Sequence, residues 1–417
     1  MTLKKGIKIG TITLLTIIIG AIWFLLYETI DELEADHSSI DQYLQKFYNP
    51  NRTAGFAVAV FSADTIYFKK GYGYADVALK RPYTTNTQQY IASVSKTLIG
   101  ISLLKAQELD ILDLNTPINE YLPFEVSNPS YPDSEITLRH LATHTSSLDY
   151  NETVVESLYI ADTLKNPSLS PIMGAYFMNR KMGDVTYGDY RPGTKFNYSN
   201  IGASLAAYVI EIQSGMTFDQ FTQKFIFERV GMNNSTWFES KAESSLFSTY
   251  YESIEKNQLK EVATTGVQMY PSRDLITNID DLITYCQAIL RKDSRLLSQE
   301  SYALLTAEML GNGVENKMVD NSGIFLLIDR NQSGVTYSLT GMNGGDNCIN
   351  TKMWFDQTTG LGYIFIGNTG YSQFNRINHI WLFKSLISLG DHIAFRGDNG
   401  TFKNRWHNWY SRVMAIF

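Results

Sequence analysis

The chain has 417 residues, 44% of them hydrophobic and 18% charged, which is a globular composition with enough length for one large or two modest domains and argues against disorder. A net charge of −7, with no basic stripe in the body of the chain, argues against a nucleic-acid partner. Only Cys286 and Cys348 are present, without C-x-x-C or zinc spacing, so two buried free thiols are the expectation.

At the N-terminus, Lys4, Lys5 and Lys8 precede an uncharged run of 19 residues, Ile9 to Tyr27. At about 1.5 Å per residue it spans roughly 28 Å, close to a bilayer core, with Trp23 and Tyr27 placed as interface anchors. The lysines then lie on the cytoplasmic side and everything after Tyr27 outside. The run is long for a signal peptide and no A-x-A site follows it, so an uncleaved anchor is expected. This gives a cytoplasmic tail at 1–8, a transmembrane helix at 9–27, and a charged stalk with a first helix at 28–50. A folded domain follows at 51–380, and a closing helix and tail at 381–417. The expected location is a bacterial membrane, with the folded domain on its periplasmic or extracellular side.

Gly55-Phe-Ala-Val-Ala-Val-Phe61 reads as a buried strand, with Thr65–Phe68 as its hairpin partner and Gly71–Tyr74 continuing extended. Its G-x-G lacks the third glycine and helix of a dinucleotide site. Next comes Tyr90-Ile-Ala-Ser-Val-Ser-Lys-Thr-Leu-Ile-Gly100. In a helix, Ser93 and Lys96 share a face at i and i+3. A serine hydroxyl is a poor nucleophile at neutral pH. A lysine amine beside it, kept from solvent so that its pKa falls, can serve as its base. Free N–H groups at the helix start favour a developing negative charge. The alternative is a capping serine with a snorkelling lysine. Two more S-x-x-K matches, Ser102–Lys105 and Ser253–Lys256, read as chance. One lies deep in the same helix, and the other in a polar stretch with no apolar face.

The middle, roughly 93–310, reads as mostly helical, with helices at Asn200–Gln213, stopped by Gly215, and at Asp280–Arg291. Before the first of these lies Tyr198-Ser-Asn200. Tyrosine shuttles protons if cations lower its pKa, and Asn200 can hold Lys96 and a substrate amide. A packed aromatic and a helix N-cap are the alternatives. After about 320 come short apolar strands at Gly323–Ile328, Val335–Leu339, Ile349–Phe355 and Leu361–Gly367. Strands at both ends with helices between them predict an α+β fold. Its single antiparallel sheet is closed by both ends of the domain, with an inserted helical region.

These residues together resemble the serine β-lactamase-related hydrolases, the class C β-lactamase and penicillin-binding esterase group, over most of 50–370. Besides Ser93-x-x-Lys96 and Tyr198-x-Asn200, the similar stretches are Gly71–Asp76, Asp110–Pro123, Ile136–Leu148, Val230–Met232 and Asn278–Leu282. Asn115 stands where the second of these usually has Asp. The resemblance implies a β-lactamase/transpeptidase-like fold and an acyl-enzyme at Ser93, with Lys96, Tyr198 and Asn200 as catalytic partners and no metal or cofactor. It places His140 and His144 structurally. The third family motif, Lys-Thr-Gly or His-Thr-Gly, is matched to Leu339-Thr340-Gly341, with Leu339 in the place of the cation and Lys352 as a candidate substitute. The amides of Ser93 and Met342 would then form the oxyanion hole. Without that cation, a neutral ester or amide is the expected substrate. A DD-peptidase, a β-lactamase, or an acylation-only or non-catalytic sensor of the penicillin-binding type are the alternatives.

Overall fold

The computed structural model describes residues 41, 44, 45, 48–149, 168–178, 187–254, 258–264, 266–330, 338–370, 383, 386, 387 and 390. The expected membrane segment at 9–27 and the tail beyond 390 lie outside them. Among the described residues no helix is long and apolar enough to cross a membrane.

The first strand, β1 (Gly55–Ser62), is buried along all but its last residue. It pairs with β2 (Ile66–Asp76), which pairs with the two-residue β3 (Arg81–Pro82). A short β4 (Gln89–Tyr90) pairs with β7 (Ile276–Thr277), and β5 (Tyr250–Ile254) with β6 (Gln258–Val262). The chain's last strands are β8 (Asn321–Ser322), β9 (Leu327–Asp329), β10 (Leu339–Gly345), β11 (Asn350–Phe355) and β12 (Leu361–Gly367). Strands β1 and β12 lie side by side, antiparallel, so both ends of the domain close one eight-stranded sheet in the order β3-β2-β1-β12-β11-β10-β9-β8. This is the expected architecture.

Alternation along the strands sends Ala57, Ala59, Phe61, Met342, Met353, Phe355, Ile364 and Ile366 to one face, where they share a core with the helices. Helix α1 (Lys96–Glu108) is apolar on almost every side and is buried at every position from Lys96 to Leu104. It packs beside α3 (Asn200–Ser214). The shorter α2 (Leu138–Ala142) is capped reciprocally by Thr137 and His140, and α4 (Ile279–Leu290) rests on β1 and β12. Helix α3 stops at Gly215 in the left-handed conformation, φ 68°, as expected from sequence.

Two expected strands differ. Gly323–Ile328 is β8 and β9 joined by a turn, in which Gly323 N–H donates to the Leu326 carbonyl and Phe325 N–H to that of Ala142. Ile324, Phe325 and Leu326 are buried as a turn, which a short apolar run does not reveal by periodicity. Val335–Leu339 lies outside the described residues up to 337, and the observed strand begins at Leu339. The glycine-rich continuation is paired with β11 along its whole length.

Candidate active site

Ser93 sits in a 3₁₀ turn, Ala92–Ser95, that leads into α1. Directly before it, Ala92 has φ 47°, a left-handed residue whose strain costs roughly 1–3 kcal/mol and clusters at functional sites. Ala92 is held there by packing against Tyr90, Tyr250, Ile276, Cys348 and Ile349. Ser93 is not a cap residue: the N-cap positions of the 3₁₀ turn and of α1 are Ile91 and Ser95.

Lys96 is fully buried rather than snorkelling. Its Nζ lies 3.0 Å from Ser93 Oγ and 2.6 Å from the Ser272 carbonyl oxygen. Burial holds its pKa well below the ordinary lysine range. The Arg273 guanidinium depresses it further, and the Asp274 carboxyl opposes both. Of the other S-x-x-K matches, Ser102 is buried with an unpartnered hydroxyl, while Lys105 pairs with Glu108 at 2.6 Å.

The Tyr198 ring lies 5.0 Å from Lys96 Nζ. Its phenol is pushed up by burial, with a side-chain hydrogen bond to Ser93 offsetting part of the rise. Cations therefore do not make Tyr198 acidic: desolvation wins, and the phenol keeps its proton at neutral pH. Its ring is braced by His144, 4.4 Å away, whose Nδ1 accepts the Ser199 N–H at 3.2 Å and whose carbonyl accepts the Asn197 N–H at 2.7 Å. Burial holds the His144 pKa down to about 3, and the nearby Lys96 adds to this, so the imidazole is neutral. His140 is a capping residue of α2. Asn200 is the first residue of α3, and the cap is Ser199, whose hydroxyl accepts the Gly202 N–H at 3.0 Å. Among the described contacts, the Lys96 amine bonds Ser93 and Ser272, not Asn200.

The strand beside Ser93 is β10, but it approaches with its later residues. A Cβ on Gly344 would lie 2.2 Å from the Ile91 carbonyl oxygen and 3.2 Å from the Ser93 nitrogen. Gly344 is therefore the glycine that permits close approach. Leu339, Thr340 and Gly341 lie at the other end, paired with Asp329, Ile328 and Leu327 of β9. Leu339 is five residues from Gly344, about 17 Å at the antiparallel rise. Backbone direction also matters. Asp346 N–H donates to the Ile349 carbonyl at 2.9 Å. Alternation then turns the amides of Gly344 and Met342 toward β11, and those of Gly345 and Asn343 toward the edge that, among the described residues, is left open past the end of β9. Met342 N–H thus belongs to the sheet ladder, and the open amide next to Gly344 is that of Gly345, which is exposed. Lys352 lies on the opposite sheet face, its Nζ 3.2 Å from Asn343 Oδ1. The clue in the sequence was the doublet Gly344-Gly345, in the same run as Thr340-Gly341.

Sequence reasoning also missed the segment Ser272-Arg273-Asp274. Asp274 is buried, with Oδ2 accepting the Val267 N–H at 2.6 Å and Oδ1 3.3 Å from Arg273 Nε. Burial raises its pKa to about 7, against the pull of Arg273. Arg273 also pairs with Asp346, the residue after Gly345. Two adjacent charges in front of an apolar run were the available signal. Cys286 and Cys348 are both free and buried, as expected. Among the described residues no group of three or more His, Cys, Asp or Glu side chains could hold a metal ion.

The family model described as Beta-lactamase matches residues 40–384. Protein flp of Staphylococcus aureus (strain MW2) is 25% identical over 254 residues, 61% of this chain and 48% of that protein. Penicillin-binding protein 4* of Bacillus subtilis (strain 168) is 30% identical over 191 residues, 43% of this chain and 37% of that protein. The chain thus spans less than half the length of either relative. Among solved structures, the D-amino acid amidase from Ochrobactrum anthropi SV3, complexed with L-phenylalanine amide, superposes with a TM-score of 0.69 at 18% identity. That match covers 85% of this chain and 99% of the amidase, and it establishes a shared fold.

Proposed function

Because the chain belongs to the beta-lactamase family, whose members are serine hydrolases, we propose that it cleaves a neutral ester or amide through an acyl-enzyme at Ser93. The observation that carries this reading is the fully buried Lys96 amine, 3.0 Å from Ser93 Oγ. A neutral amine has two N–H groups and one lone pair. One N–H is taken by the Ser272 carbonyl, which leaves the lone pair for the serine proton. Ser93 Oγ bonds the substrate carbonyl carbon as its proton passes to Lys96. The amides of Ser93 and Gly345 hold the oxyanion. Tyr198, still protonated, gives its proton to the leaving group as the carbon–heteroatom bond breaks, and the Lys96 ammonium reprotonates it. Water then releases the acyl group by the same steps reversed. Asn200, at the helix start beside Tyr198, is read as a substrate-orienting group.

The preference for a neutral substrate now rests on different residues. Two positions before Gly344, where the family carries its cation, stands Met342, buried in the core. The nearby Arg273 faces two carboxylates. Among the described residues of the site, neither Met342 nor the carboxylate-paired Arg273 offers a substrate carboxylate an uncompensated partner, which disfavours β-lactams and peptide C-termini. The solved amidase, complexed with an amino-acid amide, is consistent with this choice. The departure in the third motif also favours a second reading, an acylation-only sensor of the penicillin-binding type.

We take 51–380 as the catalytic domain, and propose a membrane anchor at 9–27 that holds it outside the cytoplasm. Support comes from the apolar run and its preceding lysines. Recovery of the full chain from carbonate-washed membranes tests the anchor, and release by the wash refutes it. For the chemistry, p-nitrophenyl butyrate is offered to the protein and to Ser93→Ala. Turnover present only with Ser93 supports the hydrolase. A stable acyl adduct on Ser93 without turnover supports the sensor. Undiminished turnover in the variant refutes both.

A further inference from the structure

The two sides of the candidate site come from distant parts of the chain. One is the turn Ser272–Asp274, whose Ser272 carbonyl anchors Lys96. The other is the end of β10, where Gly344 lies against Ile91 and Ser93 and Gly345 presents its amide. Among the described residues no ladder hydrogen bond joins them, because β9 pairs only with the first part of β10. Among the described contacts, the Arg273 side chain crosses between them. Arg273 donates from Nη2 to Asp346 Oδ2, while its Nε lies 3.3 Å from Asp274 Oδ1. The Arg273 side chain is only 17% exposed and that of Asp346 29%, so the bridge is largely removed from solvent. Such a pair is poor evidence of net stability, since desolvation offsets much of its attraction. Its stronger effect is to fix geometry. The Arg fork is planar and holds two carboxylates in set directions. Asp346 is also a fixed point, since its own N–H closes the β10–β11 hairpin on Ile349.

We propose that Arg273 is a positioning residue: through Asp346 it ties the Gly345 amide to the turn that anchors Lys96, so that nucleophile, base and oxyanion donor keep one spacing. The proposal rests on the hydrolase reading given above. Its chemistry needs that spacing, because a misplacement of about 1 Å costs about 100-fold in rate.

The test uses the full-length protein with p-nitrophenyl butyrate, comparing wild type with Arg273→Met, Asp346→Asn, the double variant and Arg273→Lys. Each single variant is expected to lower kcat about 10- to 100-fold with KM within threefold, because the oxyanion contact strengthens in the transition state. The double variant should be no slower than Arg273→Met alone, since the pair acts as one unit. Arg273→Lys, which keeps a charge for Asp346, should recover part of kcat. Additive losses, or an unchanged kcat in folded Asp346→Asn, would overturn the proposal. Amide hydrogen exchange across residues 343–350 provides a readout independent of turnover. Arg273→Met should raise exchange there about tenfold while the melting temperature holds, and unchanged exchange would also overturn it. Should the wild type show no Ser93-dependent turnover, the hydrolase reading fails, and the exchange result alone decides whether Arg273 holds the hairpin.

Discussion

Gly344→Ala is the perturbation that bears most directly on the geometry of the site. The added methyl would stand 2.2 Å from the Ile91 carbonyl oxygen and 3.2 Å from both the Ile91 carbonyl carbon and the Ser93 nitrogen. All three neighbours are backbone, so no rotamer change relieves the contact. The strand and the turn before Ser93 must separate by roughly 1 Å, an overpacking that costs about 1–3 kcal/mol. In a domain of this size that lowers the melting temperature by several degrees. The same separation widens the gap between the Ser93 and Gly345 amides, and losing one oxyanion donor costs about 100- to 1000-fold in kcat. The expected result is therefore a folded protein with a modest fall in melting temperature and a kcat at least 100-fold down on p-nitrophenyl butyrate. Two controls isolate the cause. Gly215→Ala meets nothing within 4 Å but sits at φ 68°, so it strains the backbone by about 1 kcal/mol without touching turnover. Thr340→Val changes the other end of β10, four residues from Gly344, and should leave kcat within threefold. If folded Gly344→Ala keeps kcat within threefold of wild type, or if Thr340→Val is the slower of the two, the assignment of the oxyanion strand is wrong.

Lys96→Met should abolish turnover and raise the melting temperature near neutral pH. The folded pKa of Lys96 lies below its unfolded value, so between the two the unfolded chain binds the extra proton, and stability rises with pH across that window. The gain from Lys96→Met should accordingly shrink as calorimetry moves from pH 7 toward 10, and a gain that grows would refute the buried neutral amine. Tyr198→Phe removes the protonated phenol and should lower kcat about 100-fold or more, read by steady-state kinetics, with little change in melting temperature. Glu211→Ala probes stability away from the site. The carboxylate accepts the Leu169 and Phe218 N–H groups at 2.8 and 2.9 Å. Leaving two buried donors unpaired should cost about 2–5 kcal/mol in urea unfolding with kcat unchanged.

The helix that follows Ser93 was legible because local pattern and chemistry coincide there. Around Ser93 and Lys96 a short polar stretch, Ser93 to Thr97, opens a run that is otherwise apolar and becomes the buried α1. The same holds for Tyr198 at the start of α3, and for the sheet, since β1 and β12 are short apolar runs that need each other for burial. Where the reading failed, the deciding force was not local. Thr340-Gly341 matched the third motif letter for letter, yet the backbone that approaches Ser93 is Gly344, which is known only from how β9, β10 and β11 stack in register. The proton state of Tyr198 likewise depends on what surrounds it: burial raises its pKa, and only the Ser93 hydrogen bond offsets part of the rise.

The sequence alone determined the family resemblance, the two-ended antiparallel sheet, the serine–lysine pair and the tyrosine beside it, because each is written in side-chain type at short spacing. Only the tertiary structure decided which residue of β10 lies against Ser93 and which carbonyl anchors Lys96. It also decided that Arg273, more than 70 residues from Asp346 in the chain, joins the two halves of the site. Those are contacts between distant segments. Strand register and burial fix them, and neither is encoded in any one stretch of residues.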